Sequence, residues 1–149
     1  MLKICVRKWD ENQSRLREVI SKSKKHNTWG YKDLVKLTFD TIFNDCEKLL
    51  DTDEITEIDN GDYQGTLIYL IPFNTYQPSE YQYLMTYVGY GSCSGCDTLQ
   101  GIQGWDDKLP TEMQVSDYMT LCKDIITNTI RPYNSGWRHD ADYDTVEEF

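Results

Sequence analysis

Cys93 and Cys96 are the residues whose type and spacing most invite chemistry. They are separated by two residues in Gly89-Tyr90-Gly91-Ser92-Cys93-Ser94-Gly95-Cys96-Asp97, where Gly89, Gly91 and Gly95 supply three of the nine glycines of the chain. Glycine at that density implies positive φ or a close approach of backbones, so a shaped turn is expected. Four readings of the turn stand side by side. A thiol-disulfide pair would place Cys93 at a helix N-terminus that lowers its pKa, but the adjacent Asp97 acts the other way, and no βαβ alternation surrounds it. A zinc site would use both thiolates and need two more ligands, whereas Cys5, His26 and His139 are isolated from one another in sequence. An anion nest would use the backbone amides of Gly91 to Gly95, without the lysine or glycine spacing of a phosphate loop. A rigid turn would pack small thiols and hydroxyls beneath a tyrosine-rich sheet.

No other catalytic constellation emerges. His26 and His139 sit among charges, and no Ser/His/Asp or Cys/His arrangement follows from the spacing. Asp51-Thr52-Asp53-Glu54 and Asp59 to Asp62 lack the alternating ligands and distant glutamate of a calcium loop, and read as caps and turns. Tyr81, Tyr83 and Tyr87 form a stripe that suits base stacking or a protein partner. The absence of interleaved Lys or Arg favours a protein. Together with Asp59, Asp62, Asp106 and Asp107 they are the candidate partner-binding residues of a non-enzymatic protein. No cofactor is expected apart from the zinc that Cys93 and Cys96 would take.

The elements that must position these residues follow from periodicity. Trp9, Leu16, Val19 and Ile20 are sparse among charges from Asp10 onward, which predicts a short, weakly amphipathic, largely exposed helix ending near Lys24-Lys25-His26-Asn27. Tyr31, Leu34, Val35, Thr38, Phe39, Ile42, Phe43 and Cys46 recur at three- and four-residue intervals and predict a core helix over 30–49. Asn60-Gly61 predicts a tight hairpin with positive φ at both residues. Thr66 to Ile71 reads as a central strand ended by Pro72, and Glu80 to Tyr90 as a third strand. Thr111 with Gln114 has the form of a capping box and starts a last helix through Ile130. The order ααβββα predicts an α+β domain of two layers, with a three-stranded antiparallel meander packed against helices. Its parts are a basic segment 1–30, a core 31–130 and an acidic tail 131–149.

The chain has 149 residues, enough for one domain with a real core, and carries 15 Lys+Arg against 25 Asp+Glu. Residues 1–36 hold ten of the bases and four of the acids, so they carry +6 against −16 for the remainder. An acidic body repels a duplex, so direct DNA binding is not expected. No apolar run reaches membrane-spanning length, and Met1 to Arg7 is too short and too charged for a signal peptide. A membrane location is therefore not expected. Five cysteines, an odd number, are expected to stay reduced.

Tyr90 to Gln100, with Gly61-Asp62-Tyr63-Gln64-Gly65-Thr66 upstream and Ser116-Asp117-Tyr118-Met119-Thr120-Leu121 downstream, resembles segments of small uncharacterised proteins of tailed bacteriophages. The resemblance covers three short blocks between about residues 55 and 125. It implies a protein made in the cytoplasm of an infected bacterium and transfers no catalytic role. In that setting the acidic charge leads to a modulator that binds a basic, nucleic-acid-handling or defence protein of the host, as an inhibitor or nucleic-acid mimic. The rivals are a thiol or zinc protein centred on Cys93 and Cys96, and a structural or assembly part of the phage.

Overall fold

The computed structural model describes residues 2–61, 65–79, 82–92 and 96–131. Asp62, Tyr81, Cys93 and the tail from 132 onward lie outside the described residues. Helices α1 (Leu2–Ser21) and α2 (Tyr31–Ile42) precede strands β1 (Thr56–Gly61), β2 (Gly65–Pro72) and β3 (Tyr83–Tyr90). A five-residue helix α3 (Thr98–Ile102) and the long α4 (Glu112–Thr127) follow. The class is α+β, with helices and a three-stranded antiparallel sheet in the order β1-β2-β3.

The α1 helix corrects the sequence-based expectation. It begins at Leu2 and is 20 residues long. It buries Cys5, Trp9, Asn12, Leu16 and Ile20 against α2 and α4. These positions recur every three or four residues and make a narrow stripe, so the surrounding charges stay in water while the stripe is covered. Each fully buried aliphatic side chain on it contributes about 1.5–3 kcal/mol. Val19 stays exposed.

The polar members of α1 finish α2. A helix leaves its last four carbonyls without internal partners, and α2 has no basic residue in its last turn. Asn12 Nδ2 donates to the Ile42 carbonyl at 2.9 Å, and Arg15 Nη2 to the Thr41 carbonyl at 2.5 Å. The Arg15 cation is well placed at the negative end of the helix dipole. Lys8 Nζ reaches Asp45 Oδ1 at 3.0 Å, and Asn12 adds a bond to Asp45 Oδ2 at 3.1 Å. Burial pushes the Asp45 carboxyl up, but hydrogen bonds from Lys8 and Asn12 and the Lys8 charge bring it down to about 2.

The α2 helix ends at Ile42, earlier than its periodicity predicts. Asn44 folds over the next segment: its Oδ1 accepts from Leu50 N at 2.9 Å and its Nδ2 donates to Leu50 O at 3.1 Å. That clamp turns the chain so that Asp51 N bonds Pro72 O and Asn74 N bonds Leu49 O beside the end of β2. Cys46, expected on the buried stripe, falls in this turn and is exposed.

The sheet is the predicted meander with one change. β1 pairs with β2 as far as Gly61 opposite Gly65, so Asn60 and Gly61 belong to the strand and neither has positive φ. The close approach falls at Gly65, where a Cβ would stand 2.5 Å from Asn60 O and 2.7 Å from Gly61 Cα. Leu84, Thr86 and Val88 of β3 are buried and share a face with Tyr69 and Ile71 of β2. α4 lies on that face, where the Thr86 hydroxyl donates to Ile125 O at 2.7 Å. The α4 start matches the sequence: Gln114 N bonds Thr111 Oγ1 at 3.1 Å and Thr111 N bonds Gln114 Oε1 at 2.9 Å. The helix closes at Thr127, and Ile130 then forms an antiparallel bridge with Met85 on the edge of β3.

Candidate functional site

The cysteine-glycine segment is organised by Asp97. Its side chain is buried, and Oδ1 accepts from Gly91 N at 2.9 Å and from the Tyr31 hydroxyl at 3.0 Å. Oδ2 accepts from Gln100 N at 2.9 Å and caps α3. The Tyr31 oxygen in turn accepts from Leu99 N at 3.1 Å, so one carboxylate and one phenol tie α2, α3 and the end of β3 together. Gly91 is required by close approach, since a Cβ there would overlap the Cys96 carbonyl. Burial, partly relieved by the Leu99 amide and reinforced by Asp97, pushes the Tyr31 phenol up to about 12.

The expectation of small buried thiols under the sheet fails at Cys96. Its side chain is exposed, with Sγ 3.5 Å from Ser92 Oγ. Among the described residues no group of three or more His, Cys, Asp or Glu is placed to hold a metal ion. Cys5 and Cys122 are buried, and burial pushes the Cys122 thiol up to about 12. A thiol reagent at neutral pH is therefore expected to modify Cys46 and Cys96 in the folded protein, and Cys5 and Cys122 only after denaturation. Peptide mapping after pulsed alkylation reads this, and early labelling of Cys122 would contradict the packing of α4.

The described candidate partner-binding residues, Tyr83, Tyr87, Asp59, Asp106 and Asp107, fall on separate parts of the fold. Tyr83 and Tyr87 share the face of the sheet opposite to Leu84, Thr86 and Val88, and Tyr87 is 47% exposed beside Ile68 and Ile58. Asp59 alternates to the other face, where the Tyr90 hydroxyl donates to its Oδ1 at 2.6 Å. Two residues earlier on the same strand, Glu57 Oε1 accepts from the Tyr69 hydroxyl at 2.7 Å. Burial first, and then the Glu57 carboxylate, hold the Tyr69 phenol well above its ordinary value. All six residues of β1 are exposed, so these two carboxylates are fixed from behind and open to solvent in front.

Asp106 and Asp107 lie elsewhere, before the N-terminus of α4. Tyr87 touches the other end of that helix, where Asn128 Nδ2 donates to Tyr87 O at 3.2 Å. The helix α4, sixteen residues and about 24 Å long, runs in the chain between the loop that carries Asp106 and Asp107 and the Asn128 end at Tyr87. The Asp106 loop is held by residues that spacing did not single out. Asn27 Oδ1 accepts from Gly104 N at 2.7 Å, and Asn27 Nδ2 donates to Asp106 O at 2.9 Å and Oδ1 at 3.3 Å.

His26 is buried beneath this loop, contrary to the reading of a histidine in charged surroundings. Its Nε2 must donate to Lys108 O at 3.1 Å, because a carbonyl only accepts. Nδ1 lies in hydrogen-bond contact with the Tyr118 hydroxyl at 2.8 Å, and that hydroxyl also stands 3.3 Å from His26 O. The Tyr118 ring meets His26 and Trp29 edge-on, at 5.6 and 5.2 Å between centroids. Burial pushes the Tyr118 phenol up to about 12. Only the neighbouring Asn27, a turn residue in sequence, hinted at a built loop. Comparison with protein families, curated proteins and solved structures finds no match to the chain.

Proposed function

We propose that the protein is a phage-encoded, non-enzymatic modulator that binds a basic, nucleic-acid-handling protein of the bacterial host. The observation that carries the reading is the edge strand β1. Glu57 and Asp59, two residues apart and therefore about 6.8 Å apart on one face, are oriented by the phenols of Tyr69 and Tyr90 while the whole strand faces solvent. Carboxylates fixed in advance lose little freedom when a cation meets them, which favours binding over flexible surface acids.

The distribution of charge supports it. Lys8, Lys25 and Lys36 of the basic N-terminal segment are paired with Asp45, Asp107 and Asp53 of the body, and Arg15 serves as a helix cap. Lys8 is engaged in a mostly buried pair and Lys25 and Lys36 in exposed ones, and the chain carries a surplus of ten acids. Residues 1–36 act as a brace in this reading and not as a phosphate-binding arm. Among the described residues no helix is long and apolar enough to cross a membrane.

The test is a tagged pull-down from bacterial lysate after nuclease treatment. A basic nucleic-acid-binding protein is expected to be retained at about 50 mM salt and released at about 500 mM, because exposed charge contacts are screened over that range. The Glu57→Gln/Asp59→Asn variant is expected to lose most of that retention while keeping its Tm within a few degrees. Retention that neither salt nor the double variant changes would overturn the reading.

A further inference from the structure

We propose that Trp105, with Asp106, Asp107 and the following Leu109 and Met113, is a docking knob for an arginine-rich segment of a partner protein. Trp105 is 101% exposed, Leu109 49% and Met113 75%. Trp carries up to about 250 Å² of surface, so leaving one wholly in water is costly unless another molecule covers it. Trp is also the residue type most enriched at the energetic centres of protein interfaces.

The loop around it is fixed from both sides. Asn27 binds Gly104 and Asp106, His26 holds Lys108 O, and Asp106 Oδ1 accepts from Lys108 N at 3.1 Å. The indole is therefore presented by a backbone that is already ordered, and little freedom remains to be lost on docking. A loop needing only to connect α3 to α4 has no use for such bracing around its most apolar side chain.

Charge chooses the partner. A guanidinium laid on the Trp105 face gains a cation–π contact, for which Trp is the best ring. Asp106 and Asp107 adjoin it in sequence, and carboxylates pair with guanidinium in a two-pronged geometry that lysine does not match. Asp107 faces Lys25 at 3.8 Å in a pair about three-quarters exposed, which an incoming cation can exchange with. Leu109 and Met113 follow within eight residues and are exposed as well, apolar surface of the kind an arginine stem covers. The proposal goes beyond the acidic edge of β1, and rests on the preceding reading only for the basic sign of the partner.

The experiment titrates the full chain with a blocked hexa-arginine peptide by calorimetry, with hexalysine alongside. Hexa-arginine is expected to bind several-fold tighter than hexalysine, and Trp105→Ala to weaken it about five- to tenfold, with Trp105→Phe in between. The exposed Tyr76→Ala variant is the control and is expected to change nothing. Because the indole packs on nothing, Trp105→Ala is expected to keep the wild-type circular dichroism and Tm. If Trp105→Ala binds hexa-arginine as wild type does, the peptide is held by net charge alone; the knob is overturned and the basic-partner reading survives. Failure of wild type to bind hexa-arginine also overturns the knob, and the Glu57/Asp59 pull-down still decides the other reading independently.

Discussion

Asp97→Ala is expected to lower stability by about 4 kcal/mol, the largest loss from any single substitution in the turn. The carboxylate is buried and accepts from Gly91 N, the Tyr31 hydroxyl and Gln100 N. Hydrogen bonds to a charged group contribute about 1.5–3 kcal/mol each, and the buried Tyr31 hydroxyl left without its acceptor carries a further desolvation cost. Water entering the gap recovers part of the loss, which brings the sum down to about 4. For a domain of this size, with about 7–15 kcal/mol in all, that is a large fraction.

Chemical denaturation measures the effect, and Tyr31→Phe refines it. Tyr31 connects Asp97 to Leu99 N, so the single change is expected to cost about 1–2 kcal/mol, and the double variant less than the sum of the two. Strict additivity, or an Asp97→Ala loss below about 1 kcal/mol, would mean that glycine geometry alone holds the turn. Gly91→Ala completes the set, since the overlap with the Cys96 carbonyl must be relieved by moving backbone.

Cooperative unfolding near pH 11 is the second large expected result. Tyr31 and Tyr118 are pushed up to about 12 by burial, Tyr69 is raised further, and Cys122 reaches about 12 from 9.0. In the unfolded chain the phenols ionise near 10 and the thiol near 9. Below those values folded and unfolded states bind the same protons, and the contribution of these groups is fully present. As pH rises through the window from about 9–10 to 12 the unfolded chain loses protons that the folded one keeps, so stability falls. Each group removes about 1.4 kcal/mol per pH unit. Four together approach the whole stability of the domain within one to two units.

Phenolate absorbance and far-ultraviolet circular dichroism, followed on one sample, test this. A fraction of the 11 tyrosines is expected to ionise without structural change, and the rest together with the loss of helix. Tyr118→Phe is expected to reduce the number of protons released at the transition. Complete ionisation with the helical signal intact would show that the three phenols are open to water.

The parts of the fold that were legible in sequence share one property: a wide apolar pattern with a local signal at its end. α4 had a Thr111/Gln114 box and an apolar period that holds from Val115 to Ile126, and both are present, although the helix closes at Thr127 and not at Ile130. β2 was bounded by Pro72, and it ends there. α1 was harder to read because its buried stripe is narrow and includes Asn12, a polar residue that is buried to cap another helix. No local rule assigns a side chain to carbonyls 30 positions away. The Asn60-Gly61 signal marks the right hairpin but misplaces its turn, since pairing with β2 continues through Gly61.

The site was less legible than the fold. Cys96 and Asp97 were seen as neighbours in a reactive-looking string, whereas the structure makes Asp97 the anchor and leaves Cys96 at the surface. The tyrosines and aspartates share a residue type and not a place, since Tyr83 and Tyr87, Asp59, and Asp106 with Asp107 belong to different elements. Nothing in sequence tells a tryptophan that fills a core from one that, like Trp105, stands in solvent. The Asn27 and His26 contacts that reveal the difference span 77 to 82 positions.

The packing of α1 chiefly on α4 also has a consequence for synthesis. Ser21 closes the one helix and Glu112 opens the other, with 90 residues between them. At ribosomal rates of about 5–20 residues per second, α1 waits roughly 5 to 18 s for its main seat. During that interval Trp9, Leu16 and Ile20 have only α2 to lean on, and the nascent chain is at its most exposed to chaperones and proteases. A message truncated before the codons for α4 would release a product with that stripe half uncovered, so the yield of this protein is sensitive to elongation in its second half.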